Sequence, residues 1–161
     1  MSFELYSDDF MEGDRLPQTQ VYNGNGHSGS NISPHLAWRG APHKTKSFAV
    51  TLFDPDAVRP GGWWHWIVIN IPATTTSILR GAGSNQAELP VGSVETLTDF
   101  GTPGYGGAAP PPGKVHRYIF TVHALKVPHL DLGRHDSPST VDFQIQENSI
   151  GQASLTALYG V

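Results

Sequence analysis

Two aspartates, two histidines and a stiff Gly/Pro segment are the residues of this chain most able to do chemistry. Asp54-Pro55-Asp56 holds two carboxylates two residues apart around a proline, directly after an apolar run. Taken alone, that pattern is a turn in which Asp side chains bond nearby backbone N–H groups. His65 is the third residue of Trp63-Trp64-His65-Trp66, a polar ring among large apolar ones, and a core histidine tied to a backbone carbonyl has the same appearance. Tyr105 to Gly113 reads Tyr-Gly-Gly-Ala-Ala-Pro-Pro-Pro-Gly and leads into Val115-His116-Arg117-Tyr118. Its glycines would let the backbone approach a ligand and its prolines stiffen the loop, although a merely rigid connection looks similar.

If these groups meet at one end of a sheet, they form an anion pocket. Imidazole N–H groups and loop amides would donate to phosphate or carboxylate oxygens, each Asp orienting a His, with no Lys or Arg required. The same atoms serve two enzymatic alternatives: a hydrolase with a His/Asp general base, and a metal triad of His65, His116 and Asp54. For the triad, no HxD or HxxxH pair supplies local ligand spacing. A serine-nucleophile elbow fares no better, since Gly26-His27-Ser28-Gly29 and Gly29-Ser30-Asn31 both fail GxSxG. Without GxxxxGK[ST], nucleotide-loop chemistry drops out. His27, His35, His43, His123, His129 and His135 read as structural.

The elements that must position these residues are strands. Ser47–Phe53 is apolar and β-rich and stops at the proline of Asp54-Pro55-Asp56. Trp63–Ile71 is apolar on both faces, with His65, Ile67, Ile69 and Ile71 on one and Trp64, Trp66, Val68 and Asn70 on the other. Arg117–Leu125 alternates Tyr118, Phe120 and Val122 against Ile119, Thr121 and His123, and His116 extends the first face. Weaker strands are expected at Gln20–Tyr22, Leu36–Trp38 and Val94–Thr98, and a last one at Ala153–Tyr159. Ser137-Pro138 offers a cap and first-turn proline for a helix over Val141–Ile150, closed by Gly151.

Composition agrees with a mainly β architecture carrying one or two short helices. The 161 residues, without repeat or linker, are expected to form a single domain over 1–161. Gly and Pro number 18 and 13, and charge is only 15%, a mixture that favours short strands and fixed turns. With no cysteine, disulfide scaffolds and thiolate metal clusters are excluded. A net charge of −4 without a basic block argues against nucleic-acid partners. No apolar run is long enough to span a bilayer, and residues 1–11 lack signal-peptide character, so a cytoplasmic protein is expected.

Four blocks resemble the phosphatidylethanolamine-binding protein family, and closely its bacterial branch, the Raf kinase inhibitor-like proteins. They are Asn31-Ile32-Ser33-Pro34-His35-Leu36-Ala37-Trp38, Asp54-Pro55-Asp56-Ala57, Trp63 to Pro72, and Tyr105 to Gly113 running into His116-Arg117-Tyr118. The resemblance covers roughly Leu16 to Tyr159. It implies a central antiparallel sheet packed on a smaller second sheet with peripheral helices, and a near-surface cavity accepting phosphate-like groups. The pocket carries onto Asp54, Asp56, His65, Gly107, Pro111, His116 and Tyr118, with Tyr105 and Trp63 beside them. The function it implies is non-enzymatic binding of small phosphate-like or carboxylate anions, phospholipid head groups among them, without a cofactor. The family name adds an alternative, a surface-based inhibitor of an unidentified kinase or protease with the pocket as effector switch, and bacterial relatives suggest a homodimer. Two departures stand out: Val58 replaces the last proline of the family's DPDAP, and no long helix follows Tyr159.

Overall fold

A computed structural model describes residues 2–161. Nine elements follow the chain: β1 (Glu4–Tyr6), β2 (Leu36–Arg39), β3 (Ser47–Asp54), β4 (Trp63–Pro72), β5 (Ser77–Ile78), β6 (Val94–Glu95), β7 (His116–Leu125), α1 (Pro138–Asn148) and β8 (Ser149–Tyr159), with short 3₁₀ turns at Gln18–Gln20 and Ala82–Ser84. The large sheet has the order β6-β4-β3-β7-β8 and the small one β1-β2-β5, both antiparallel throughout. The fold is thus mainly β with two sheets and one α-helix, as expected. No helix among the described residues is long and apolar enough to cross a membrane.

Alternation along the strands builds two apolar layers. Phe48, Val50 and Leu52 of β3 and Tyr118, Phe120 and Val122 of β7 face the small sheet, where they meet Leu5, Leu36 and Trp38. On the opposite face, Ala49, Ile67, Ile69 and Leu125 meet Val141 and Ile145 of α1. Those two helix residues lie one turn apart, which decides the helix over the strand-like alternation: Phe143, between them, is 61% exposed.

Strand β4 departs from simple alternation. Its register against β3 slips between Leu52 and Phe53 and again between Phe48 and Val50. Each slip inserts one β4 residue without a partner, a bulge that turns the following side chains to the other face. His65 is the extra residue at the first bulge, so it faces Tyr118 while Ile67 and Ile69 face α1. Asn70, with φ +60°, sits at the second, and Ile71 returns to the inter-sheet layer. The four residues expected to share one face are therefore divided between both faces of the sheet, His65 and Ile71 on one and Ile67 and Ile69 on the other.

Other limits also moved. Gln20 ends the 3₁₀ turn Gln18–Gln20, and Val21 and Tyr22 follow as irregular backbone whose amides serve loop partners such as Tyr22 N–H to Ala108 O. Of Val94–Thr98 only Val94–Glu95 is strand. Helix α1 starts where the cap predicts, the Ser137 hydroxyl accepting from Thr140 N–H, but ends at Asn148. Gly151 does not close it; Ser149 is already extended, and Gly151 lies within β8 opposite Ala124.

Candidate functional site

β3 lies between β4 and β7, so antiparallel pairing puts the end of β3 beside the beginnings of both neighbours. Asp54, Trp63, His65, His116 and Tyr118 converge there, and with Pro111 they line a cavity of about 200 Å³. Phe100, Arg59, Asn25, Ala109-Pro110 and the Ala57-Val58 pair complete its walls.

The floor is a fixed set of hydrogen bonds. His116 Nδ1–H donates to Asp54 Oδ2 at 2.8 Å, both side chains almost fully buried. The other oxygen, Oδ1, accepts Asp56 N–H at 2.7 Å, so the turn suggested by Asp-Pro-Asp is present and also orients the carboxylate. His65 Nδ1–H donates to the Gly106 carbonyl at 2.8 Å, and Gly106 N–H returns a bond to the His65 carbonyl. In both rings, then, Nε2 is the nitrogen left without a protein partner. Burial pushes the His65 pKa down, only partly offset by the Gly106 carbonyl and Asp54, which keeps the ring neutral with Nε2 as an acceptor. Tyr118 packs edge-on to His65 and parallel to His116, with ring centroids 5.4 and 6.4 Å away. Its phenol is pushed above the ordinary tyrosine value by burial and then by Asp54.

Three of the residues expected at the pocket stand outside the cavity. Asp56 does not orient a histidine: its carboxylate accepts from Arg117 backbone N–H, Nε and Nη2 at 2.9 to 3.0 Å, and those bonds hold it well below the usual carboxylate range. Tyr105 is buried, and its hydroxyl donates to the Gln20 carbonyl at 2.7 Å. Gly107 approaches protein rather than ligand. A Cβ there would stand 2.1 Å from the Gln20 carbonyl oxygen, and one on Gly106 would stand 2.2 Å from the Phe100 ring. These glycines admit the segment between Phe100 and the chain around Val21.

What locks that segment is Asn31, held at φ +54°. Its Oδ1 accepts Gly107 N–H at 2.7 Å and its Nδ2 donates to the Tyr105 carbonyl at 3.3 Å. His27 holds the next stretch, donating from Nε2 to the Pro110 carbonyl at 2.9 Å. Sequence reasoning does not reach Asn31, His27 or Phe100 as site residues, since Asn31 and His27 act through hydrogen-bond partners 74 or more residues away and Phe100 through ring packing on Trp63 and His65. Arg59 had a visible signal as the one cation between Asp56 and Trp63. Its presence corrects the expectation of a pocket without Lys or Arg. Among the described residues no group of three or more His, Asp or Glu side chains is placed to hold a metal ion, so the His65, His116 and Asp54 triad does not form.

Comparison with known proteins agrees with this geometry. The family model of phosphatidylethanolamine-binding proteins matches residues 6–160. The UPF0098 protein YbhB of Escherichia coli is 50% identical over 156 residues, covering 97% of this chain and 99% of its own. The crystal structure of E. coli YbcL, described as a member of the mammalian PEBP family, superposes with a TM-score of 0.97 at 42% identity over 100% of this chain and 99% of YbcL. A Chlamydia trachomatis homolog superposes with a TM-score of 0.83 at 28% identity, covering 99% and 98% of the two chains. The two-sheet fold and the cavity at the end of β3 define a phosphatidylethanolamine-binding-protein-like chain. This protein belongs to that family, in its bacterial branch.

Proposed function

We propose that this chain is a non-catalytic binding protein for a small anion bearing a phosphate or carboxylate group, phospholipid head groups included. The observation that carries the reading is the pair of imidazoles with Nδ1 anchored, on Gly106 and on Asp54, leaving both Nε2 atoms for a ligand. Inorganic phosphate or a phosphate monoester carrying one proton matches both, whereas a diester, having no P–OH, makes only the His116 bond. The P–OH donates to neutral His65 Nε2, while a proton on His116 Nε2 donates to a phosphate oxygen, the imidazolium held between anion and Asp54. The Tyr118 phenol, kept protonated by its surroundings, is a further donor beside them.

A covalent hydrolase is disfavoured because no Ser, Thr or Cys lines the cavity for the Asp54–His116 pair to activate as a nucleophile. The volume of about 200 Å³ fits a head group and is below the roughly 300 Å³ at which drug-sized pockets begin, so acyl chains would stay outside. The test is to follow histidine ring NMR signals while adding inorganic phosphate, phosphoethanolamine or short-chain phosphatidylethanolamine. Saturable shifts at His65 and His116, lost respectively in His65→Ala and His116→Ala while tertiary signals persist, are expected. The three ligands distinguish free phosphate from a lipid source. Silence toward all of them overturns the reading.

A further inference from the structure

The loop between β3 and β4 carries a single cation, Arg59, and its guanidinium has two partners beside the cavity. It lies 4.7 Å above the Trp63 ring, and its Nη2 is 2.6 Å from Asp99 Oδ1. The two partners of the ion pair are held very differently. Asp99 is only 12% exposed, its Oδ2 accepts Trp64 N–H at 2.7 Å, and its own N–H donates to the Trp64 carbonyl. Arg59 is half exposed, on a long side chain in a loop that ends in Gly61 and Gly62, both at positive φ. A fixed carboxylate therefore competes with any bound anion for a movable guanidinium that already lines the cavity.

We propose that Arg59 is a specificity-determining residue, leaving Asp99 for the bound ligand by pivoting on the Trp63 face, so that the cavity prefers doubly charged phosphates to singly charged carboxylates. This rests on the anion-binding reading above. A carboxylate ligand offers the guanidinium the same charge and the same forked geometry as Asp99, so it gains little by drawing Arg59 away. A phosphate dianion offers a second charge and a third oxygen. Because the indole is shared by both positions, the cation–π contact is retained through the exchange. Competition by Asp99 thus sets a threshold of ligand charge.

Calorimetric titration of the full chain with inorganic phosphate and with acetate, at about pH 7.5 where phosphate is largely doubly charged, tests this. Arg59→Ala should weaken phosphate about tenfold, as loss of a charge-assisted hydrogen bond does, and change acetate by less than about twofold. Arg59→Lys should fall between, since a point charge replaces the fork. Asp99→Asn, which keeps an oxygen for Trp64 N–H, should tighten phosphate a few-fold by removing the competitor. Opposite signs for Arg59→Ala and Asp99→Asn separate exchange from a mere loop staple. The proposal is overturned if wild type binds phosphate and Arg59→Ala binds it equally well, or if Asp99→Asn weakens it alongside Arg59→Ala. Wild type that binds neither anion overturns this inference together with the anion-binding reading.

Discussion

Gly106→Ala adds one methyl group at the point where the wall of the cavity leans on Phe100. The new carbon would stand 2.2, 2.6 and 2.9 Å from three atoms of that ring, against the 3.4 to 4 Å of ordinary contact, so the two must part by more than 1 Å. The ring cannot easily yield. Tyr22 stacks on it at 5.0 Å, and Trp63 and His65 meet it edge-on at 5.4 Å each. Gly106 is no freer, being bonded to His65 through both its N–H and its carbonyl. Overpacking of this kind costs about 1–3 kcal/mol. For a chain of this length, about 2 kcal/mol lowers Tm by roughly 4–8 °C. Because the displaced atoms hold His65, phosphate affinity should fall as well. Thermal denaturation and phosphate titration of Gly106→Ala, Phe100→Leu and the double variant would measure both effects. Trimming the ring makes room for the methyl, so the double variant should lose less than the sum of the singles, a coupling of about 1 kcal/mol. Additive losses, or a Gly106→Ala protein with unchanged Tm, would refute the packing argument.

Two further outcomes follow from residues away from the cavity floor. His123 is buried with Nδ1 unpartnered and Nε2 3.0 Å from the Thr51 hydroxyl, and burial pushes its pKa down to about 4 from 6.5. Between those values the unfolded chain binds a proton that the native state refuses. Stability should therefore fall as pH drops from 6.5 toward 4, by about 3 kcal/mol at most for this group; urea midpoints at several pH values should show a flatter profile for His123→Gln. Asn31→Ala removes both bonds to the 105–107 segment and puts alanine at positive φ, so it should cost about 2–4 kcal/mol and Asn31→Asp, which keeps the acceptor for Gly107 N–H, less. Equal melting temperatures for those two variants would remove Asn31 as the clamp.

The long strands were legible because their apolar runs are bounded by turn residues: β3, β4 and β7 lie within one residue of the limits their sequences suggest. The residues that reach the cavity from strand ends, Asp54, Trp63, His65, His116 and Tyr118, were legible for the same reason. Strands of two or three residues, such as Glu4–Tyr6 and Ser77–Ile78, are too short to show a period. The bulges of β4 were invisible because a bulge is a property of two strands. Gly106 and Gly107 show the limit most clearly: glycine signals a close approach, and only the fold reveals that Phe100 and Gln20 are what approaches. Asp56, likewise, has the residue type of a site carboxylate, yet all three bonds its carboxylate accepts come from Arg117.

The closing strand β8 has a consequence for how the chain acquires its cavity. Tyr159 pairs with His116, and the backbone of Gly13 to Leu16 bonds to Thr156 and Leu158 along the same strand. The Gly13–Leu16 segment and β8 thus meet beside His116. Such distant pairings form late, after the entropy of closing long loops has been met. During synthesis, Asp54 and His65 emerge from the ribosome well before β8, which pairs with His116, so the cavity is complete only once β8 can dock. An anion bound as proposed above would then stabilise only the finished fold and could not template its first half.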